Sequence, residues 1–505
     1  MELLDNLILG FSVALTPTNV FFCFVGCLAG TLVGVLPGLG PTASVSLLLP
    51  LTFQMNPITA VIMLAGIYYG AMYGGSTTSI LVNIPGEAAS VVTCIDGYQM
   101  ARKGRAGPAL GMCAIGSFIA GTMSVIGLML LAPPLAEISL RFGPPEYLAL
   151  MVLGLTLLSF LSSGSTSKAM VMAAFGLFLG TIGLDNLTGT TRFTFGSITL
   201  MDGVDLVPVV MGMFGIGEVL YNLERPLKAR EIYDTKIRNL LPSVSDWIEA
   251  KWALVRGSVL GFLLGILPGG GAIIASFASY AIEKRLSKKP ELFGQGAIAG
   301  VAGPEAANNS ATGGAFIPMM TLGIPANSVM AILLGALIIH GIQPGPFLIV
   351  EHPRLFWGVV TSMYVGNVIL LILNLPLIGI WVRALRIRYT ILFPLILLFC
   401  LIGSYSIKNN VGDMFVMLVF GLFGYLIRKF GYDAPPLVLA LVLGPMMESA
   451  LRRSLLMSDG SPLIFFQRPI SGAFLLMTIL MLLSSLIPAV KKRKAKLPLE
   501  EDDEK

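Results

Sequence analysis

The sequence predicts an all-α polytopic membrane protein: two homologous, inverted-topology repeats with discontinuous helices and roughly 12 transmembrane spans. Three observations predict it: apolar composition with little charge, collinear internal similarity, and Gly/Pro clusters at matching places in both halves. The chain has 505 residues, 55% of them hydrophobic and only 12% Asp, Glu, Lys or Arg, against the roughly 25% charged content of soluble domains. From Asn6 to Gly86 there is no Asp, Glu, Lys, Arg or His. No water-soluble fold hides that much apolar surface, which excludes a soluble enzyme, a secreted domain and a DNA-binding protein. Cys23, Cys27, Cys94, Cys113 and Cys400 show no paired spacing in polar loops, so neither a disulfide framework nor a Cys/His metal site is expected. Cys23 and Cys27, one helical turn apart, read as small buried thiols.

The repeat is carried by four ordered matches. Gly34-Val35-Leu36-Pro37-Gly38 recurs as Gly265-Ile266-Leu267-Pro268-Gly269, Gly74-Gly75 as Gly313-Gly314, Ile84-Pro85 as Ile324-Pro325, and Phe175-Gly176-Leu177-Phe178 as Phe420-Gly421-Leu422-Phe423. The order is kept while the offset lengthens slowly, as loop insertions between homologous halves would produce. The organisation that follows is a first repeat over 1–221, a polar linker over 222–256, a second repeat over 257–470, an extra terminal helix over 471–490, and a charged tail over 491–505.

Positive charge sets the expected orientation. The linker carries Arg225, Lys228, Arg230, Lys236, Arg238, Lys251 and Arg256, and the tail carries Lys491-Lys492-Arg493-Lys494, so both are placed in the cytoplasm. Arg102-Lys103-Gly104-Arg105 is basic while its counterpart near Gln343 to Arg354 is almost bare. The turn Leu51 to Pro57 is uncharged while its counterpart Lys284 to Lys289 is strongly basic. The turn around Arg141 is thin in charge while its counterpart has Arg383, Arg386 and Arg388. Opposite bias in matching loops predicts opposite insertion of the halves. Arg452-Arg453 falls on the outer side in this scheme, against the bias.

The Gly and Pro clusters predict where chemistry sits. In the first half they are Gly34 to Ser44, Tyr73 to Ser79 and Asn83 to Glu87. In the second they are Leu267 to Gly271, Gly303 to Gly314 and Gly323 to Ser328. Pro removes an amide donor and Gly withdraws entropic support from a helix. Backbone freed in this way at bilayer depth must line protein or water, never lipid. Helix N-termini favour anions there, and unwound carbonyls with hydroxyl or amide oxygens favour Na⁺ or a similar hard cation. The expected substrate-binding residues are therefore Gly38, Gly40, Thr42, Ser44, Gly74, Gly75, Ser76, Thr77, Gly269, Gly270, Gly271, Asn308, Asn309, Ser310, Thr312 and Gly313. The expected ion-coupling residues are Thr78, Asn83, Glu305 and Asn327. These stretches hold no Lys or Arg, so an anion would be held by amides, hydroxyls and a co-bound cation. Glu305 is the only Asp or Glu between Glu291 and Glu351, and intramembrane carboxyls are costly and functional. Glu87 reads as a cap on a loop, and His340 and His352 as structural. Small residues also let membrane helices pack closely, the plain alternative reading of every cluster. No phosphate loop, Ser/His/Asp set or metal cluster is present.

At these residues, chiefly Gly30 to Ser46, Tyr73 to Ala89, Gly265 to Ser276 and Gly303 to Ser328, the sequence resembles the TctA family, the large membrane subunit of the tripartite tricarboxylate transporters. The resemblance spans nearly the whole chain. It implies a multi-pass permease subunit of the bacterial inner membrane, whose C-terminus the basic tail places in the cytoplasm. It also implies a small TctB-like membrane subunit and a periplasmic TctC-like solute-binding protein as partners. Citrate-like or related carboxylates would be imported with Na⁺ or H⁺ and no other cofactor. A stand-alone carrier or channel is the nearer rival; a membrane enzyme is the farther one, lacking its catalytic cluster.

Overall fold

The computed structural model describes residues 2–36, 40–161, 165–185, 188–224, 239–269, 271–385 and 389–485. Gly38, Gly270, Arg386, Arg388, the linker residues 225–238 and the tail lie outside the described residues. The described chain is α-helical apart from short helical turns of other pitch and a two-stranded antiparallel pairing of Gly183–Leu184 with Thr191–Arg192. Among the described residues, six helices are long and apolar enough to cross a membrane: Pro17–Val35, Pro57–Val82, Ala106–Ser139, Leu206–Glu224, Pro353–Asn374 and Val411–Lys429. Shorter apolar helices, among them Thr166–Leu179 and Ser328–Ile339, accompany them. At 34 residues the Ala106–Ser139 helix is about 50 Å long, so it must tilt in, or project from, a hydrocarbon layer of about 30 Å.

The chain forms two compact units. The first comprises Met1–Ser139 and Val207–Tyr425, the second Leu140–Leu206 and Leu426–Lys505. Each therefore draws on both halves of the sequence.

The first unit contains two helix pairs built on one plan. Pro17–Val35 lies against Pro57–Val82, with Gly26, Gly30 and Gly34 facing the partner backbone. A Cβ on any of them would stand 2.2–2.3 Å from the carbonyl oxygens of Met63, Ile67 and Ala71. Val244–Ile266 lies in the same way against Ile298–Gly314. Here Gly257, Gly261 and Gly265 would each put a Cβ 2.2–2.3 Å from the carbonyls of Gly303, Ala307 and Ala311. With no hydrophobic drive between helices in lipid, such backbone contact is what holds them together. Cys23 and Cys27 are buried on the first of these helices.

The placement of the interruptions corrects the sequence reading. Gly74, Gly75, Ser76, Thr77 and Thr78 lie inside the unbroken Pro57–Val82 helix. Pro304, Asn308, Asn309, Ser310, Thr312 and Gly313 lie inside the unbroken Ile298–Gly314 helix. Their small side chains serve close packing: Gly74 would bring a Cβ 2.5 Å from the Thr31 carbonyl, and Gly314 one 2.4 Å from that of Phe262. The regular helix ends at Val35 and restarts at Gly40; it ends at Val82, where Asn83 adopts the left-handed conformation (φ 58°); it ends at Ile266 and restarts at Gly271; and it ends at Leu322, with Gly323 at φ 70°. At Gly323 a side chain would meet both that backbone strain and the Pro344 carbonyl at 2.8 Å.

The second unit packs Pro144–Leu161 against Pro469–Ser485 and Thr166–Leu179 against Pro435–Met457. Arg192 bonds Glu448 with both terminal nitrogens (2.8 and 3.1 Å), and Arg452 bonds Asp185 likewise (2.9 and 3.3 Å). These four groups line a cavity of about 1020 Å³ together with Arg453, and Arg192 and Arg452 are engaged there by the protein's own carboxylates.

Candidate functional site

The first unit brings the ends of the two glycine-lined pairs together. The Gly269 amide donates to the Ala326 carbonyl at 2.8 Å. Gly86 sits so tightly on the Gly34 carbonyl that a Cβ there would approach it to 2.1 Å. Thr42 and Ser328, from opposite halves, face each other with hydroxyl oxygens 3.5 Å apart.

Glu305, Glu87 and Asp96 are among the carboxylates buried in this unit. Glu305 has no exposed surface. Ser76 donates to its Oε2 at 2.7 Å and Thr93 to its Oε1 at 2.6 Å. Glu87 is the expected cap: its Oε2 accepts the Ala89 amide at 2.6 Å and caps the turn Ala88–Ser90. It is buried rather than at a surface, and its Oε1 accepts from Asn308 Nδ2 at 3.0 Å. Asp96 Oδ1 collects the amides of Gly294, Gly296 and Ala297 at 2.8, 2.7 and 2.9 Å, and its Oδ2 accepts from the Tyr280 hydroxyl at 2.9 Å. None of these donors is Lys or Arg. An unpaired carboxylate is tolerated at depth only when fixed dipoles replace its water, and hydrogen bonds to a charged group contribute roughly 1.5–3 kcal/mol each. Every one of the three bridges the first half to the second.

The remaining candidates divide by what they touch. Asn309 Nδ2 donates to Ser117 at 2.7 Å and to the Glu305 carbonyl at 3.1 Å. Asn327 caps the Ser328–Ile339 helix through the Met330 amide at 3.0 Å and donates to the Tyr68 hydroxyl at 3.1 Å. Thr78 satisfies the Val35 carbonyl at 2.6 Å, where the first helix ends. Gly75 leaves room for Glu87, whose Cγ a Cβ would meet at 2.9 Å. Ser44, Ser310 and Thr312 bond backbone carbonyls of Gly40, Ser258 and Asn308, and so have their hydroxyl protons committed within helices or to a neighbour. Thr77 is buried on the Ser76 helix. Gly40 and Gly271 open the helices that follow the breaks. Sequence reasoning missed Asp96, Thr93, Ser117, Tyr68 and Asn367; Asp96 alone carried a signal, as an acid within the otherwise uncharged run Val91 to Met100.

Apolar helices longer than a bilayer core, packed through glycine and enclosing carboxylates without basic partners, define a multi-pass helical membrane protein. Over residues 20–439 the sequence matches the family described as "Tripartite tricarboxylate transporter TctA family". The chain belongs to that transporter family. It is 51% identical over 502 residues, 99% of this chain and 100% of the relative, to the "Uncharacterized 52.8 kDa protein in TAR-I ttuC' 3'region" of Agrobacterium vitis. It is 49% identical over 242 residues, 48% of this chain and 100% of the relative, to the "Uncharacterized protein in TAR-II ttuC' 3'region" of the same organism. No solved structure matches.

Proposed function

We propose that this chain is the large permease subunit of a binding-protein-dependent secondary transporter of the bacterial inner membrane. It imports citrate-like tricarboxylates or related carboxylates together with Na⁺ or H⁺. It works with a TctB-like small membrane subunit and a periplasmic TctC-like binding protein, and its C-terminus is cytoplasmic. Family membership supports the transport class. The two glycine-lined helix pairs, each followed by a break, support two homologous halves, and the loop charges support their opposite insertion and roughly 12 crossings.

One observation carries the site: side chains of one half hold the buried carboxylates of the other, through Ser76 and Thr93 on Glu305 and Asn308 on Glu87. A coupled solute and ion need such a junction, since occupancy there biases how the halves meet. The anion is received by amides and the Thr42 hydroxyl at Gly38 to Ser44 and by amides at Gly269 to Gly271, with Gly74 to Thr77 and Asn308 to Gly313 behind them. The cation is received near Glu305, Thr78, Asn83 and Asn327. The test is uptake of radiolabelled citrate and other di- and tricarboxylates into vesicles holding this chain, with and without the two partners. Uptake that requires both partners and an ion gradient is expected. Uptake by this chain alone would instead identify a stand-alone carrier, and no carboxylate uptake under any gradient would overturn the reading.

A further inference from the structure

A small, partly enclosed void lies inside the first unit, where the Pro57–Val82, Ala106–Ser139, Ile298–Gly314 and Pro353–Asn374 helices meet. Its volume is about 10 Å³, enough for one water-sized occupant and far too small for a carboxylate. Val125 and Met363 line it together with several polar side chains. The Tyr69 hydroxyl, on a side chain 8% exposed, has no hydrogen-bond partner among the described residues. Ser124 donates its proton to the Gly121 carbonyl at 2.8 Å, which leaves its oxygen lone pairs for the void. Asn309 has both amide hydrogens engaged by Ser117 and the Glu305 carbonyl, which leaves its Oδ1. Asn367 contributes an amide whose Oδ1 accepts from the Tyr73 hydroxyl at 3.5 Å and keeps a second lone pair. No Lys, Arg or His lines the space.

Two glycines keep it open. A Cβ at Gly121 would stand 2.7 Å from both terminal atoms of Asn367, and one at Gly313 would stand 2.2 Å from Ser124 Oγ. Oxygen-bearing side chains around a space of one-atom size, with no competing positive charge, are the environment a hard monovalent cation seeks when it sheds water. The Glu305 carboxylate, whose backbone carbonyl is tied directly to Asn309, supplies the negative charge within one turn of helix.

We infer that this void is the site of the coupling ion, that the ion is Na⁺, and that Tyr69, Ser124, Asn309 and Asn367 supply its oxygens. The inference rests on the transporter reading above and revises its cation site: the ion sits in this void beside Glu305 and not at Thr78, Asn83 and Asn327, and Asn309 and Gly313 belong to the ion and not to the carboxylate.

The experiment is saturable binding of ²²Na⁺ to the purified full-length chain in proteoliposomes, which needs neither the partners nor the carboxylate. Tyr69→Phe, which keeps the ring, and Ser124→Ala are each expected to weaken Na⁺ binding by about tenfold. Gly121→Ala, which pushes into Asn367, is expected to abolish it. Asn367→Asp, which keeps the shape and adds charge, is expected to bind Na⁺ at least as tightly as the native chain. Absence of saturable Na⁺ binding, or equal binding by all four variants, overturns the inference and leaves the void to a structural water. Carboxylate uptake that persists without Na⁺ would overturn it while leaving the transporter reading intact. Na⁺ binding that follows the four variants, in a protein that moves no carboxylate with its partners present, would overturn the transporter reading alone.

Discussion

Asn308 Nδ2 donates to Glu87 Oε1 at 3.0 Å, and Asn308 Oδ1 has no described partner. One amide thus holds the capping carboxylate of the first half and keeps a buried acceptor free. Asn308→Leu removes the donor while roughly keeping the volume, and leaves Glu87 on its local amide contacts alone. A loss of about 1–3 kcal/mol in stability is expected, read as a lowered melting midpoint of the detergent-solubilised protein. Carboxylate uptake is expected to fall with it, while insertion into the membrane is retained. An unchanged melting curve would mean that Glu87 does not depend on the second half.

Glu305 accepts from two hydroxyls, Ser76 and Thr93. Glu305→Gln preserves shape, and one hydroxyl can rotate to accept from the new amide, so folding is expected to survive. The negative charge disappears, and ion-driven uptake is expected to drop about tenfold or more. Full wild-type uptake by this variant, in vesicles with both partners present, would remove Glu305 from the coupling machinery.

What the sequence made legible, and what it hid, follows from how far each signal reaches along the chain. A Pro or Gly acts on its own backbone, so the gaps after Val35 and Ile266, and those at Asn83 and Gly323, were readable from local residues alone. Glu305 was readable too, because a lone acid in an apolar run is costly wherever its partners are. Gly74, Gly75 and the Gly303 to Gly314 stretch were misjudged because a small residue serves two ends, breaking a helix or admitting a neighbour. Only the opposing backbone, Thr31 for Gly74 and Phe262 for Gly314, decides between them. Asp96 was missed because the amides that make its burial possible belong to Gly294, Gly296 and Ala297. Asn367, which faces Tyr73 from far along the chain, was hidden for the same reason.

The glycine contacts separate into those that matter for packing and those that do not. A Cβ at Gly30 would stand 2.2 Å from the Ile67 carbonyl, a backbone atom that cannot move alone, whereas one at Gly379 meets nothing within 4 Å. Gly30→Ala is expected to force the Pro17–Val35 and Pro57–Val82 helices apart and to destabilise by about 1–3 kcal/mol or more. Gly379→Ala, in the Ile378–Ala384 helix, is expected to be neutral or to stabilise by about 0.5–1 kcal/mol. Melting midpoints of the two variants, measured side by side, check the contrast; equal shifts would contradict the close approach at Gly30.

Asp246 stands at the start of the Val244–Ile266 helix, where the linker enters the second half. Its Oδ2 accepts the Ser243 amide at 3.0 Å and the Ser243 hydroxyl at 2.8 Å, its own amide is capped by Ser243 Oγ at 3.2 Å, and its Oδ1 takes the Arg105 guanidinium. Burial pushes this carboxyl up, but the donation from Arg105 and Ser243 outweighs it and holds the group below its ordinary range. A carboxyl lowered in the folded state stabilises the protein above its ordinary pKa of about 3.9. That contribution is lost as pH falls through the lowered folded value. Asp246→Asn removes the ionised partner of Arg105 and one arm of the reciprocal cap, and is expected to cost about 1 kcal/mol or more at neutral pH. The difference in melting midpoint between native and variant protein should therefore be widest near pH 7 and shrink as the pH is lowered below about 4. A difference that stays constant over that interval would show that the Asp246 charge contributes nothing to holding Arg105 against the second half.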